Sequence, residues 1–300
     1  MGTFHEGELA LQRRAGSYAK LAEAGPRVIR DHMPEQHREF FTLLPFLLAG
    51  SLDGEGQPWA SVLAGPPGFA QSPEPRQLRI GTLPLLHDPL QGNLRAGAQI
   101  GLLGIQPHTR RRNRMNGTVT AVDDAGFTVQ VSQSFGNCPK YIQAREPHHV
   151  PGLQGAAQAE AMQGLDEAAL ALVRAADTFF IATAHPRAAQ GGEAAWGVDV
   201  SHRGGPSGFV RVQHGQLVVP DFVGNGFFNT LGNLQLHPRC GLLFMDFASG
   251  DLLYVAAQAS LEWDGPAVRA FEGAQRLLRL APLRALRSRG ALPLRWSQPA

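Results

Sequence analysis

Apolar and polar positions along the chain fall into short runs, and the runs recur. Helical spacing over Pro34–Leu44 leads into an apolar strand, Phe46–Ser51, and helical spacing over Asp166–Ala176 leads into another, Thr178–Ala184. Each is followed by a turn, a second strand and a glycine-proline turn: Gly65-Pro66-Pro67-Gly68-Phe69 in one place, Gly205-Pro206-Ser207-Gly208-Phe209 in the other. A third strand (Leu78–Ile80; Leu217–Val219) and a short helix (Asp88–Ala96; Phe227–Leu236) come next. Two closing strands end each set: Gln99–Ile105 with Asn116–Val122, and Cys240–Phe247 with Leu252–Leu261. Short strands punctuated by Gly and Pro predict small antiparallel barrels.

The recurrence has a register. At an offset of 140 residues the chain matches itself without a gap from about Ser61 to Val122. Gly92-Asn93-Leu94 falls on Gly232-Asn233-Leu234, and Gly101-Leu102-Leu103 on Gly241-Leu242-Leu243. Before these blocks, Phe46-Leu47-Leu48-Ala49 pairs with Phe179-Phe180-Ile181-Ala182 if the second half carries extra residues, which the stretch Pro186–Ala195 supplies. The expected organisation is an N-terminal helical segment (1–34), a first barrel (35–145), a linker (146–165), a second barrel (166–265) and a basic tail (266–300). A tandem pair of barrels packs as a homodimer would. In the tail, Leu277, Leu278, Leu280, Leu283 and Leu286 have helical spacing among arginines, so a basic helix is expected there.

Composition narrows the class. Hydrophobic residues make up 43% and charged residues 17%, which fits a globular chain with a sizeable core. No apolar run reaches the roughly 18 residues of a membrane span, and the N-terminus lacks a signal-peptide core, so a cytoplasmic protein is expected. The net charge of +2 is too small to imply a nucleic-acid partner. Of 27 basic side chains only Lys20 and Lys140 are lysines. Arginine suits planar, bidentate recognition of phosphate, which makes individual arginines worth following. Two cysteines, Cys138 and Cys240, make neither a disulfide framework nor a zinc site.

The two copies differ in their chemistry. The second offers Ser201-His202-Arg203-Gly204-Gly205 where the first has Ser61-Val62-Leu63-Ala64-Gly65. A hydroxyl, an imidazole, a guanidinium and two glycines that let backbone N–H groups approach a ligand form an anion cradle. Asp221 through Thr230, with Asn225 and Asn229, is likewise polar where Gly81–Leu90 is mostly apolar. The asymmetry reverses at Arg110-Arg111-Arg112-Asn113-Arg114, which faces Gly250-Asp251-Leu252-Leu253-Tyr254. Strand alternation sends Arg112 and Arg114 to one face. Each copy then keeps one side of a shared cleft; the competing reading is a solvated hairpin.

These residues carry a resemblance. The stretch Ala176–Thr183, then Asp199-Val200-Ser201-His202-Arg203-Gly204-Gly205-Pro206-Ser207-Gly208-Phe209, resembles the pyridoxamine 5′-phosphate oxidase-like flavin-nucleotide-binding family. So do Pro220-Asp221-Phe222, Gly224-Asn225-Gly226, Asn229 through Asn233, and His237-Pro238. The first copy is similar more weakly, chiefly through Ser134-Phe135-Gly136-Asn137-Cys138-Pro139-Lys140-Tyr141-Ile142. The resemblance implies a mainly β (α+β) chain: two tandem split β-barrels of the FMN-binding type forming an intrachain pseudo-dimer, with flanking helices and FMN in the groove between them. It implies that Ser201, Arg203, Asn225, Asn229 and Thr230, with Gly204 and Gly205, hold phosphate and ribityl. Arg112 and Arg114 would approach the ring or phosphate, and His202 would donate to flavin or substrate, or orient Arg203. The implied activity is an FMN-dependent oxidoreductase with a small-molecule substrate and NAD(P)H as a candidate electron donor; further association as a homodimer is open. The basic strand with a closing lysine of the vitamin-B6 oxidase is absent. Other readings are a non-catalytic flavin-binding sensor or scaffold, and a haem site on His202 or His237.

Three further groups were weighed. Cys138, flanked by Lys140, is a candidate redox thiol, although a lone cysteine is ordinarily inert. His148-His149 has no carboxylate at ligand spacing except Glu146, and His5-Glu6-x-Glu8 reads as the start of a charged helix. No metal site is expected.

Overall fold

The computed structural model describes residues 2–151 and 158–299. Two helices, α1 (Glu6–Arg14) and α2 (Tyr18–Val28), precede α3 (Glu35–Thr42). His5 starts α1 through a capping box: its ring accepts the Gly7 N–H, and the Glu8 carboxyl accepts the His5 N–H. The first unit then contains β1 (Phe46–Leu52), β2 (Pro58–Ala64), β3 (Ala70–Gln71), β4 (Gln77–Ile80), a short α4 (Leu90–Asn93), β5 (Gln99–Gln106), β6 (Arg111–Asp123) and β7 (Gly126–Gly136). Two short strands, β8 (Pro147–His149) and β9 (Gln158–Gln163), lead to α5 (Glu167–Ala175), whose N-terminal Ala169 N–H is capped by Asp166. The second unit contains β10 (Thr178–Ala184), β11 (Val198–Gly204), β12 (Arg211–Gln213), β13 (Gln216–Asp221), α6 (Asn229–Leu236), β14 (Arg239–Met245), β15 (Leu252–Glu262), α7 (Pro266–Arg269) and β16 (Arg276–Arg289), followed by β17 (Leu294–Trp296).

The two large antiparallel sheets share one topology. The first runs β2-β1-β5-β6-β7-β4-β3 and the second β11-β10-β14-β15-β16-β13-β12, the same order with every strand replaced by its counterpart. This is the tandem split-barrel architecture. Each unit has its own core, around Phe41, Leu47, Leu78 and Phe127 in the first and Phe179, Leu217, Leu242 and Phe244 in the second. A third cluster is shared: Phe46, Val62 and Leu103 pack with Phe180, Val200 and Tyr254.

Glycines set how closely the units meet. A Cβ on Gly101 would strike the Val198 carbonyl, and a Cβ on Gly241 would strike the Pro58 carbonyl. Gly101 and Gly241 are counterparts, and so are Pro58 and Val198, so the contact is reciprocal in the way a two-fold dimer interface is. The repeated Gly-Leu-Leu block is thus explained: glycine admits the partner's backbone, and the leucines fill the cores.

Three expectations need correction. First, Phe46 pairs with Ala64 and Thr178 with Gly204, which makes Phe46 the counterpart of Thr178 and not of Phe179. A one-residue slip of this kind would turn every side chain to the wrong face. The β10–β11 connection spans 185–197 against 53–57 in the first unit, so the extra residues do lie around Pro186–Ala195. Second, the tail is not a helix. Residues 276–289 form β16, the counterpart of β7, and the second unit therefore runs past residue 265. Pro282 lies inside this segment and suits a strand beside a bulge better than a helix interior; the register shifts at Ala256/Ala257, opposite it. Third, the linker is partly structured: β8 pairs with β17, and β9 pairs with β16, while its residues 152–157 lie outside the described part.

Among the described residues, no helix is long and apolar enough to cross a membrane.

Candidate functional site

Strand alternation aims two rows of polar side chains at each other across the join between units. On β6, Arg112, Arg114 and Asn116 all reach into the second unit, while Arg111 turns away and lies 4.8 Å over the Phe40 ring. On β11, Asp199, Ser201 and Arg203 share one face. Asp199 is the hub: Oδ1 accepts from Arg114 Nη1 (2.7 Å) and Asn116 Nδ2 (2.8 Å), and Oδ2 accepts from Asn233 Nδ2 (2.9 Å). Arg114 Nη2 also donates to the Val200 carbonyl (3.0 Å) and to Ser201 Oγ. Thr230 Oγ1 donates to Ser201 Oγ at 2.9 Å. Arg114, 2% exposed, is therefore a buried cross-link between the units, with only Nε left without a partner.

Beside this network lies a cleft of about 180 Å³. Its walls include Arg112, Arg114, Ser201, His202, Arg203, Asn225, Asn229 and Thr230, so the structure brings these eight expected residues together. A satellite space of about 80 Å³ adjoins it at Arg112, Lys140, His202 and Arg203. Two larger clefts, of about 780 and 750 Å³, lie elsewhere on the units; the first is lined largely by prolines and aliphatic side chains.

The glycines do other work than expected. Gly205 lines none of these spaces: its N–H donates to the Asp177 carbonyl (3.0 Å), and the room of its missing side chain is taken by Phe209. Gly204 touches only the satellite space, and a Cβ there would strike the Tyr141 carbonyl. Gly204 is needed where Tyr141 of the first unit crosses β11, and Gly205 makes room for Phe209 of its own unit.

His202 also differs from expectation. Its Nδ1 accepts from Arg112 Nη1 at 3.0 Å, because a guanidinium only donates, so Nε2 carries the ring proton. Burial, then the charges of Arg112, Arg203 and Arg145, hold its pKa well below the ordinary value, and the ring is neutral. It orients Arg112, not Arg203. Arg112 is fixed further by Nε to the Cys138 carbonyl (2.6 Å), and burial together with neighbouring Arg114 and Arg203 lowers its pKa to about 10. His237 lies at the end of α6 and lines neither the cleft nor its satellite.

Several participants lie outside the residues expected to hold the ligand. Asp221 takes Arg203 Nη1 at 2.5 Å and lies 3.4 Å from Arg276 Nε, so one carboxylate serves two arginines. Arg276 came from the tail misread as a helix. Asn137, Cys138, Lys140 and Tyr141 enter from the segment after β7, and Tyr141 stacks on Phe222 at 5.1 Å at the cleft. Glu8 is buried against Asn229 (Nδ2 to Oε1, 2.5 Å), and burial, reinforced by Asp199, raises its pKa to about 8. The N-terminal arm reaches the cleft loop because Gly7 and Gly232 allow α1 and α6 to touch; Phe4 and Phe135 then both pack on Phe227.

The ring and carboxyl atoms of His5, Glu6 and His185 lie within 4.8 Å of one another. Backbone donors decide the matter. His5 Nδ1 accepts from Gly7 and His185 Nδ1 from Arg187, which puts a proton on each Nε2. A metal-ligating imidazole has its proton on the other nitrogen; within this group His185 Nε2 meets Glu6 Oε1 at 3.3 Å, while His5 Nε2 has no hydrogen-bond partner among the described residues.

Residues 33–157 match the sequence model of the pyridoxamine 5′-phosphate oxidase family. That match spans the first unit and the segment after it, and it is to this family that the first unit is similar. The match does not reach the second unit, whose residues carry the resemblance more strongly. Among solved structures, similarity extends to an FAD-binding protein from Mesorhizobium loti (9% identity over 45% of this chain and 99% of that one, TM-score 0.29). It extends also to HupZ of Group A Streptococcus (11% identity over 40% of this chain and 91% of that one, TM-score 0.31). No curated protein sequence matches. The chemistry of the lining bears on what the cleft between the units accepts. Among the described residues, buried donors without partners include Arg114 Nε, Asn137 Nδ2, Arg203 Nε and Arg276 Nη1, and all four side chains line it. Buried N–H groups left unpaired cost about 1–3 kcal/mol each, and an oxyanion would satisfy them.

Proposed function

We propose that the chain binds a flavin nucleotide, FMN, in the cleft between its units and acts as an FMN-dependent oxidoreductase on a small molecule. The observation that carries this reading is the convergence of side chains with unpartnered N–H donors from both units on one anion-sized space, in a chain whose residues 33–157 match this family's sequence model. Arg203 and Arg276, with the Ser201 and Thr230 hydroxyls, would hold phosphate, and Asn225 and Asn229, which line the same cleft, would meet ribityl hydroxyls. The size of the space suits the phosphate and polyol end of a nucleotide, since a whole drug-sized ligand takes roughly 300 Å³ or more.

Bound FMN would supply hydride or electron transfer, with NAD(P)H as candidate donor. The protein's part is positioning and electrostatics. Arg114 and Asp199 lock the units so that the cleft keeps its shape. Arg112, braced by His202 and the Cys138 carbonyl, presents a fixed positive charge that favours electron-rich states of whatever lies against it. His202 holds its proton at Nε2 and serves as a neutral donor.

The test is the visible spectrum of the purified protein, with acid release and chromatographic identification of the chromophore. FMN is expected, and Arg203→Ala should bind it roughly tenfold to a hundredfold more weakly, the loss of a charge-assisted contact. Unchanged affinity in that variant removes the phosphate assignment. NAD(P)H oxidation by the loaded protein separates an enzyme from a passive flavin carrier, and a Soret band in place of flavin bands would point to haem.

A further inference from the structure

We infer that the cleft holds a second anionic group beside the cofactor phosphate: the substrate carries a carboxylate, received by Arg112 and Lys140 in the satellite space. This rests on the flavin reading above. Five cationic side chains line the cleft, namely Arg112, Arg114, Lys140, Arg203 and Arg276, and Asp221 is the acid among the lining residues. Arg114 is neutralised from behind by Asp199. Arg203 and Arg276 divide Asp221 between them. Neither Arg112 nor Lys140 has a carboxylate partner among the described residues. A phosphate monoester brings about −1.5 to −2. The two carboxylates and that phosphate together leave about one positive charge unmatched, and geometry says where it lies.

Arg112 spends Nε on the Cys138 carbonyl and Nη1 on His202, which leaves Nη2 without a hydrogen-bond partner among the described residues. Lys140 and Arg112 both line the satellite space of about 80 Å³, with Tyr141 and Phe222 stacked on each other at 5.1 Å beside them. A guanidinium edge, an ammonium and an aromatic wall around so small a volume fit a single carboxylate on a compact organic body. A second phosphate would bring more charge than remains. Lys140 is one of only two lysines in a chain of arginines, and its flexible stem suits a ligand that arrives and leaves.

The experiment is calorimetric titration of the FMN-loaded protein with benzoate, with benzamide as the uncharged control. One benzoate per chain is expected, with benzamide much weaker. Lys140→Gln, at an exposed position, should weaken benzoate by about tenfold or more. Loaded protein that ignores benzoate, or benzoate that binds only by displacing FMN, overturns the second subsite. If the protein takes up no FMN, the flavin reading falls. The same titration of the unloaded chain then decides this subsite alone: benzoate binding weakened by Lys140→Gln supports it, and no binding or no weakening overturns it.

Discussion

Laid on one another, the two units place Arg112 on Leu252, Arg114 on Tyr254, His202 on Val62 and Arg203 on Leu63. The pseudo-two-fold of the fold creates two grooves, and the sequence treats them oppositely. In one, arginines and hydroxyls from both units converge with donors to spare. In the other, Tyr254 is fully buried in the shared apolar cluster, and its hydroxyl donates to Asp88 Oδ2 at 2.9 Å. Burial raises the Asp88 pKa to about 6 despite that bond and the Leu90 N–H it also accepts. One element is kept in both: Asn233 donates to Thr183, and its counterpart Asn93 donates to Ser51 (3.0 Å), tying each short helix to the first strand of its unit. The scaffold contact is preserved twice and the open site once, so architecture and chemistry have separate residue requirements.

The largest expected effect comes from breaking the polar side. Asp199→Ala leaves Arg114 buried without a counter-charge and should cost about 3–5 kcal/mol in denaturant unfolding. A cost under about 1 kcal/mol would show that the network is not what joins the units. The shared contact should respond alike on both sides: Gly101→Ala and Gly241→Ala each force a methyl into the other unit's backbone, with about 1–3 kcal/mol lost. Unequal losses would mean that the reciprocity is only topological.

Stability against pH adds a difference between the grooves. Glu8 beside the open cleft has its folded pKa raised from 4.5 to about 8, so the folded state holds a proton that the unfolded chain releases near 4.5. Glu8's contribution to stability is therefore lost as pH rises from about 4.5 to about 8, and Glu8→Gln should remove that component of the pH dependence. A variant that retains the full slope assigns it to other groups. The smallest effect is expected in the filled groove, where Tyr254→Phe removes one donor to Asp88 at a cost of about 1 kcal/mol. Its Asp88 pKa should climb above about 6, a shift that NMR titration reads.

Much of this is legible in the sequence. Alternation alone put Arg112 and Arg114 on one face, and the contrast of Ser201-His202-Arg203 with Ser61-Val62-Leu63 pointed to the polar side. What escaped depends on distance along the chain. The β15–β16 connection runs over 263–275 and includes α7, whereas β6 and β7 are joined across 124–125. That insertion carried the last strand out of the 140-residue register and hid Arg276. Leu277, Leu278 and Leu280 then fitted a helical stripe as well as a strand buried on both sides. Glu8 stayed hidden because its partner Asn229 is 221 residues away. The roles of Gly204 and Gly205 were mistaken because glycine serves close packing and ligand approach equally well, and only the neighbour decides.

Equilibrium dialysis of the unliganded protein against FMN tests the central comparison most directly. One FMN per chain is predicted, with Arg203→Ala weakening it roughly tenfold to a hundredfold and Tyr254→Phe leaving its affinity unchanged. Two FMN per chain, or an affinity that Arg203→Ala leaves unchanged, would contradict the account of one open groove and one filled.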